Sequence, residues 1–225
     1  MARTIVETVA DKGITTICAH TLWTNPIIDF ARYLESIGAS ALQLVLPNYG
    51  DEDAKVKYFE DIARSTRLSL VLRGNLPMPL LSRLMKIDTI VAMKHDAGET
   101  YLREVLIHYR NRLNSYAGGS WEWFVMAQPW GATATLDTYT TFAPEVSVRF
   151  WKAVDANDPA TVRGMIEKYE HPLLRHKFTA AFWRAALEYF GIAARYVRPP
   201  ERPYSETEMP SVKTFFDELG IYPEK

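Results

Sequence analysis

A run of strand-forming apolar residues, DTIVAM at 88–93, ends in Lys94, and His95, Asp96 and Glu99 follow at once in KHDAGE. An amine at the end of a buried strand has a distinctive use: desolvation disfavours its charged form, and the neutral amine attacks a carbonyl carbon to form an imine. Its other use is structural, the stem lying on apolar surface while the ammonium reaches solvent. The acidic residues divide the same way. They could serve as acid and base beside the amine, or Asp96 could cap a helix beginning near Gly98 with Glu99 in its first turn.

Further candidates also follow strands. His20 comes after ITTICA (14–19), with Trp23 close behind, and Tyr49 comes after ALQLVL (41–46) in VLPNYG, where a phenol could relay a proton or simply pack in a turn. Gly118 and Gly119 in YAGGSWEW allow close approach of a ligand or make a tight turn. His108, His171 and His176 fall on helical patterns without the i, i+4 pairing and acidic third ligand of a zinc site, so no metal and no cofactor are assigned.

The elements that must position these groups are short β-rich runs alternating with helical patterns. ITTICA, ALQLVL, LSLVLR (68–73) and DTIVAM are the clear strands, and NSYAGG and GATATL are weaker ones. Between them, NPIIDFARYLESIG reads as a helix that Asn25 can cap, with Pro26 in the first turn and Gly38 at the end. EDAKVKYFEDIARSTR repeats the pattern with Val56, Phe59 and Ile62 on one face. This βαβα order predicts a parallel sheet, either doubly wound or barrel-like, and in both the C-terminal ends of the strands carry function. No G-x-G-x-x-G and no G-x-x-x-x-G-K-[ST] follows a strand, which counts against dinucleotides and nucleoside triphosphates. From Pro144 onward helical patterns dominate, interrupted by the proline-rich RYVRPPERPYSE. The expected division is a β/α barrel portion, 1–143, and a helical region, 144–225.

Composition narrows the class. Lys and Arg number 26 against 27 Asp and Glu, a formal charge of −1, so no basic footprint for nucleic acid is present. Cys18 is the only cysteine, which excludes an internal disulfide framework and suits a reducing, cytoplasmic setting. MARTIVETVADKG reads as an amphipathic helix and not a targeting signal. No apolar run approaches the roughly 18 residues that span a bilayer, so no membrane association is expected.

Taken in order, these segments resemble the dihydrodipicolinate synthase and N-acetylneuraminate lyase family of class I, Schiff-base-forming pyruvate aldolases. IIDFARYLESIGASALQLVLPNY is similar to that family's helix, strand and P-x-Y turn, and TIVAMKHDAGE to its lysine segment. GATATLDTYTTFAP is similar to the G-x-x-x-S segment before a proline-started helix, and RAALEYFGIAARYVRPP to the terminal run. The resemblance implies a (β/α)8 TIM-barrel fold, N-terminally shortened, with extra C-terminal helices. It implies Lys94 as the Schiff-base amine and Tyr49 as the tyrosine of the proton relay. Gly118 or Gly119 would lie beside a bound 2-oxo acid, and Thr133 would offer a backbone carbonyl towards it.

Two departures stand out. The family carries a proton-shuttling tyrosine at the end of the strand before the lysine strand, whereas LVLRGNLPMP places Leu72 or Arg73 there. An arginine can bind a carboxylate but is a poor proton-transfer group near neutrality. The chain also begins within what would be the family's second barrel helix, so about six strands are expected where a standard barrel has eight. Unpaired edges would favour a homo-oligomer. The expected function is a lyase or synthase acting on pyruvate or a related 2-oxo acid. The alternative is a degenerate relative that binds a ligand or a partner, and a third reading is another barrel enzyme using Arg73, His20 and His95 on a carboxylated or phosphorylated substrate.

Overall fold

A computed structural model of the chain describes residues 1–20, 23–176 and 179–223. Residues 177 and 178, within the stretch from Pro144 onward where helical patterns dominate the sequence, lie outside the described residues. The chain divides into two compact units, Met1–Leu136 and Asp137–Lys225.

The first unit holds six strands, β1 (Thr16–Ala19), β2 (Ala41–Val45), β3 (Ser69–Arg73), β4 (Ile90–His95), β5 (Asn114–Gly118) and β6 (Ala134–Leu136). They pair in sequence order, and every pair is parallel, which makes a six-stranded half-barrel sheet. Parallel neighbours need crossovers. These contain α2 (Thr24–Ser36), α3 (Glu52–Ser65), α4 (Met78–Leu84), α5 (Glu99–Tyr109) and α6 (Trp121–Ala127), while α1 (Ala2–Val9) precedes β1. All six strands read from the sequence are present. The weak candidates become strands because they close the ladder beyond β4.

Alternation along the strands sorts side chains onto two faces. Leu42, Leu44, Leu70, Leu72, Ile90 and Met93 are fully buried in one core with Ile27, Leu34, Phe59, Ile62, Leu81 and Val105 from the crossover helices. The other face carries smaller and more polar groups. A cavity of about 540 Å³ lies over it, lined by Thr16, Ala41, Ser69, Ala92, Tyr116 and Leu136 among others.

Two local expectations are corrected. Helix α2 begins at Thr24 with Trp23 in the capping position and no side-chain cap, so Asn25 lies inside the first turn instead of capping it. Helix α5 begins at Glu99, with Gly98 at the cap in a φ of 94° and again no side-chain cap, so Asp96 does not cap it. Asp51, by contrast, caps α3 by accepting a hydrogen bond from the Ala54 amide at 2.8 Å.

The second unit is helical: α7 (Pro144–Asp155), α8 (Pro159–Met165), α9 (His171–His176), α10 (Ala180–Tyr189) and α11 (Met209–Leu219). A π-helical stretch, Ile166–Glu170, joins α8 to α9. Pro172 stands just beyond it, and its missing N–H explains why the regular α ladder widens here. Packed aromatic rings form this unit's core, with Phe190 and Phe216 centroids 4.8 Å apart and Phe182 and Phe215 5.6 Å apart. The segment between α10 and α11 is non-helical, as its prolines require. Among the described residues, no helix is long and apolar enough to cross a membrane.

Candidate active site

Register decides which side chains meet. Val45, Arg73, Lys94, Tyr116 and Ala134 are successive partners across β2 to β6. Partners in a parallel ladder point to the same face, so Arg73, Lys94 and Tyr116 stand side by side near the C-terminal ends of their strands. Strand β4 runs through His95, which puts Lys94 inside the strand. Lys94 is only 6 % exposed. It is therefore a buried amine and does not snorkel to solvent.

Asp96 follows β4 directly and returns towards the same face. Its Oδ1 accepts a hydrogen bond from Lys94 Nζ, and its Oδ2 accepts one from Arg73 Nε at 3.0 Å. Both carboxylate oxygens are engaged by cations, which is why it is not available to cap α5. Burial pushes the Asp96 carboxyl up, but hydrogen bonds from Lys94 and Arg73 outweigh this, and the net effect holds it below the ordinary carboxylate range. Arg73 is raised in turn, chiefly by Asp96. Its Nη1 also reaches Cys18 Sγ at 3.9 Å.

Gly118 is the small residue this arrangement requires. A Cβ there would overlap Asp96 Oδ1 and the His95 carbonyl oxygen, and would stand 3.0 Å from Lys94 Nζ. Gly119 has a different reason to be glycine, a φ of 104° that side chains disfavour. Tyr116 donates to Gln43 Oε1 at 3.0 Å across the same face. Burial, then the Asp96 charge, pushes its phenol up to about 12.

His95 points away from this group. It is fully buried, packs its ring 5.6 Å from that of Tyr101, and among the described residues has no hydrogen-bond partner at either nitrogen. Burial lowers it to about 4. The remaining sequence candidates lie elsewhere. His20 is exposed after β1. Thr133 precedes β6, its amide donating to the Ser115 carbonyl at 3.2 Å. Tyr49 packs against Trp23, with centroids 5.1 Å apart, in a cleft of about 250 Å³ that also takes in Lys55 and Tyr58 but none of the Lys94 group. Among the described residues, no cluster of three or more His, Cys, Asp or Glu could hold a metal ion.

The sequence reading missed Tyr116, Gln43 and Cys18. The signal for Tyr116 was present as alternation: Asn114, Tyr116 and Gly118 occupy one face of β5, and only pairing with Lys94 gives that face a meaning.

Comparison with known proteins follows the same lines. The family model of the dihydrodipicolinate synthetase family matches residues 3–219. A protein of Pseudomonas fluorescens (strain Pf0-1), named "Probable 5-dehydro-4-deoxyglucarate dehydratase", is 25 % identical over 216 residues, covering 88 % of this chain and 70 % of its own. A protein of the same name from Azotobacter vinelandii is 26 % identical over 216 residues, with the same coverage of 88 % and 70 %. Among solved structures, N-acetylneuraminate lyase from Mycoplasma synoviae superposes with a TM-score of 0.85 at 16 % identity, covering 99 % of this chain and 78 % of that one. A prophage protein of the dihydrodipicolinic acid synthase family from E. coli K12, solved in complex with pyruvate, gives 0.84 at 20 % identity, covering 98 % and 80 %. With a family match across nearly its whole length, the chain belongs to the dihydrodipicolinate synthetase family.

Proposed function

We propose that this protein is a lyase that binds a 2-oxo acid as an imine on Lys94. The observation that carries this reading is one buried amine at the C-terminal end of a parallel strand, with a carboxylate and a guanidinium on the same face. Removing such charges from water costs several kcal/mol per ion. A cluster of this kind, held largely out of water, points to chemistry more than to packing. The competing expectation of a binding protein without catalysis leaves the buried amine without a use.

Imine formation converts the carbonyl into an electron sink. The carbon next to it then loses a proton, and the resulting enamine expels a hydroxyl from the following carbon or forms or breaks a carbon–carbon bond. The relatives' name favours dehydration. In a 5-dehydro-4-deoxyglucarate the oxo group adjoins a carboxylate, a methylene follows, and the next carbon bears the hydroxyl that would leave. In this reading Arg73 Nη2, which makes no hydrogen bond among the described residues, faces the substrate carboxylate, while Gly118 and Gly119 border the site. The half-barrel belongs to a (β/α)8 architecture to which the C-terminal helices are additions.

The test is reductive trapping. Borohydride added with pyruvate, and separately with a 3-deoxy-2-oxo sugar acid, should leave a stable adduct on the Lys94 peptide, absent from Lys94→Ala. No adduct on that peptide with any of these acids overturns the reading.

A further inference from the structure

We infer that Asp96 is the catalytic proton-transfer residue of this site and that Arg73 is the positioning residue that holds it. The inference rests on the Lys94 reading and goes beyond it, because it assigns the proton movements that the strand β3 position cannot perform. At the end of β3 stands Arg73, whose guanidinium keeps its proton throughout the accessible pH range. His95 adjoins Lys94 in sequence but is fully buried on the other face of β4. Tyr116 is in register with Lys94, yet its hydroxyl is committed to Gln43 Oε1 at 3.0 Å. Asp96 is the group that touches the amine nitrogen itself.

Its surroundings are those of a placed base. The Lys94 side chain is 8 % exposed and that of Asp96 34 %, so the carboxylate is the more solvent-accessible member of the pair. Arg73 Nε fixes Oδ2 at 3.0 Å, which leaves Oδ1 turned towards Lys94 Nζ. Gly118 supplies the room, since any side chain there would occupy the space where amine and carboxylate meet. Asp96 makes no helix cap that would account for it structurally.

The step balances with these groups alone. The Lys94 ammonium passes a proton to the Asp96 carboxylate, and the freed amine adds to the 2-oxo carbon, forming the C–N bond while the carbonyl π pair moves to oxygen. The nitrogen proton released on addition goes to that oxygen, giving a neutral carbinolamine. Asp96 returns its proton to the hydroxyl, which leaves as water as the nitrogen lone pair closes the iminium. The ammonium and ketone become an iminium and one water, and Asp96 ends as the carboxylate it began as.

The experiment measures the rate of imine formation by rapid-quench borohydride trapping with pyruvate in the full chain. Asp96→Asn, which keeps the volume, should form the adduct about 10²- to 10⁴-fold more slowly, the range expected on losing a general acid and base. Formate added to Asp96→Ala should restore a measurable part of the rate, because a small carboxylate can enter the vacated space. Where Asp96→Ala does not fold, Asp96→Glu replaces it, and partial recovery relative to Asp96→Asn supports the assignment. A trapping rate in Asp96→Asn within about threefold of wild type overturns it. So does a slow, folded Asp96→Ala on which formate has no effect, since that pattern belongs to a structural role. These outcomes are distinct from failure of the Lys94 reading, in which wild type itself gives no adduct and both proposals fall.

Discussion

The β5 backbone at Gly118 passes so close to Lys94 that a single added carbon would stand 3.0 Å from Nζ and overlap the carboxylate that Nζ contacts. Gly118→Ala is therefore predicted to separate Lys94 from Asp96 while leaving both in the chain. Overpacking of this kind costs about 1–3 kcal/mol of stability. Misplacing a reacting group by about 1 Å costs on the order of 100-fold in rate. Chemical denaturation and borohydride trapping measure the two effects. Gly119→Ala is the contrast: its new carbon would be 3.9 Å from the nearest atom, the Leu136 carbonyl oxygen. It should lose stability through its strained φ without a comparable loss in trapping.

Tyr116 tests whether a tyrosine moves protons in this site. Tyr116→Phe removes the hydrogen bond to Gln43, a residue only 7 % exposed, and leaves that amide oxygen without its donor. The expected destabilisation is about 1–3 kcal/mol. Trapping should change by less than about threefold, under about 1 kcal/mol of barrier, because Asp96 and not the phenol touches the amine. A drop of two orders of magnitude in a folded variant would shift the proton-transfer role to Tyr116.

His95 predicts an acid sensitivity unrelated to catalysis. Its folded value is about 4 against an ordinary 6.5, lowered by burial. Between those pH values the unfolded chain binds a proton that the folded chain refuses, so stability is intact above pH 6.5 and declines as pH falls towards 4. Across that interval the loss is on the order of 3 kcal/mol. His95→Leu removes the titrating ring and two unpaired buried nitrogens, so its stability should be flatter over the same range. Urea titrations of both proteins at pH 7, 5.5 and 4.5 would show whether the curves converge or stay parallel.

Which of these features were legible beforehand depended on the range of the interaction behind them. Helix α3 followed from Val56, Phe59 and Ile62 recurring on one face, and the strands from apolar runs, because both patterns lie within a few residues. Asp96 was harder. An aspartate two residues before Gly98 suits a helix cap on local grounds, and the competing partner, Arg73, is 23 residues away in sequence. The ion pair prevailed because the parallel register sets Arg73 beside Lys94, and a carboxylate between two cations gains more than a single cap provides. Tyr116 was hidden for the same reason, since its partner Gln43 lies 73 residues earlier. Tyr49 illustrates the reverse case: its motif was legible, but its ring packs with Trp23 in a cleft apart from the Lys94 group.

Arg73 gives the last prediction. If it positions Asp96, removing it should change how the reaction depends on pH as well as its rate. Burial raises the Asp96 carboxyl, while Lys94 and Arg73 lower it by hydrogen bonding and by charge, and lowering prevails. Arg73→Gln deletes one of the two cations, so the Asp96 pKa must rise. The carboxylate is the form that accepts the Lys94 proton, so the acid limb of the trapping rate should move to higher pH. Lys94 and Tyr116 remain near the carboxylate in both proteins, so their contributions are common to both profiles. Arg73→Lys keeps a positive charge but not the fixed fork of the guanidinium. Its acid limb should lie nearer that of wild type, with a lower plateau because the carboxylate is less firmly aimed. An unshifted acid limb in Arg73→Gln, alongside a lower plateau, would mean that Arg73 acts on the substrate carboxylate and not on Asp96.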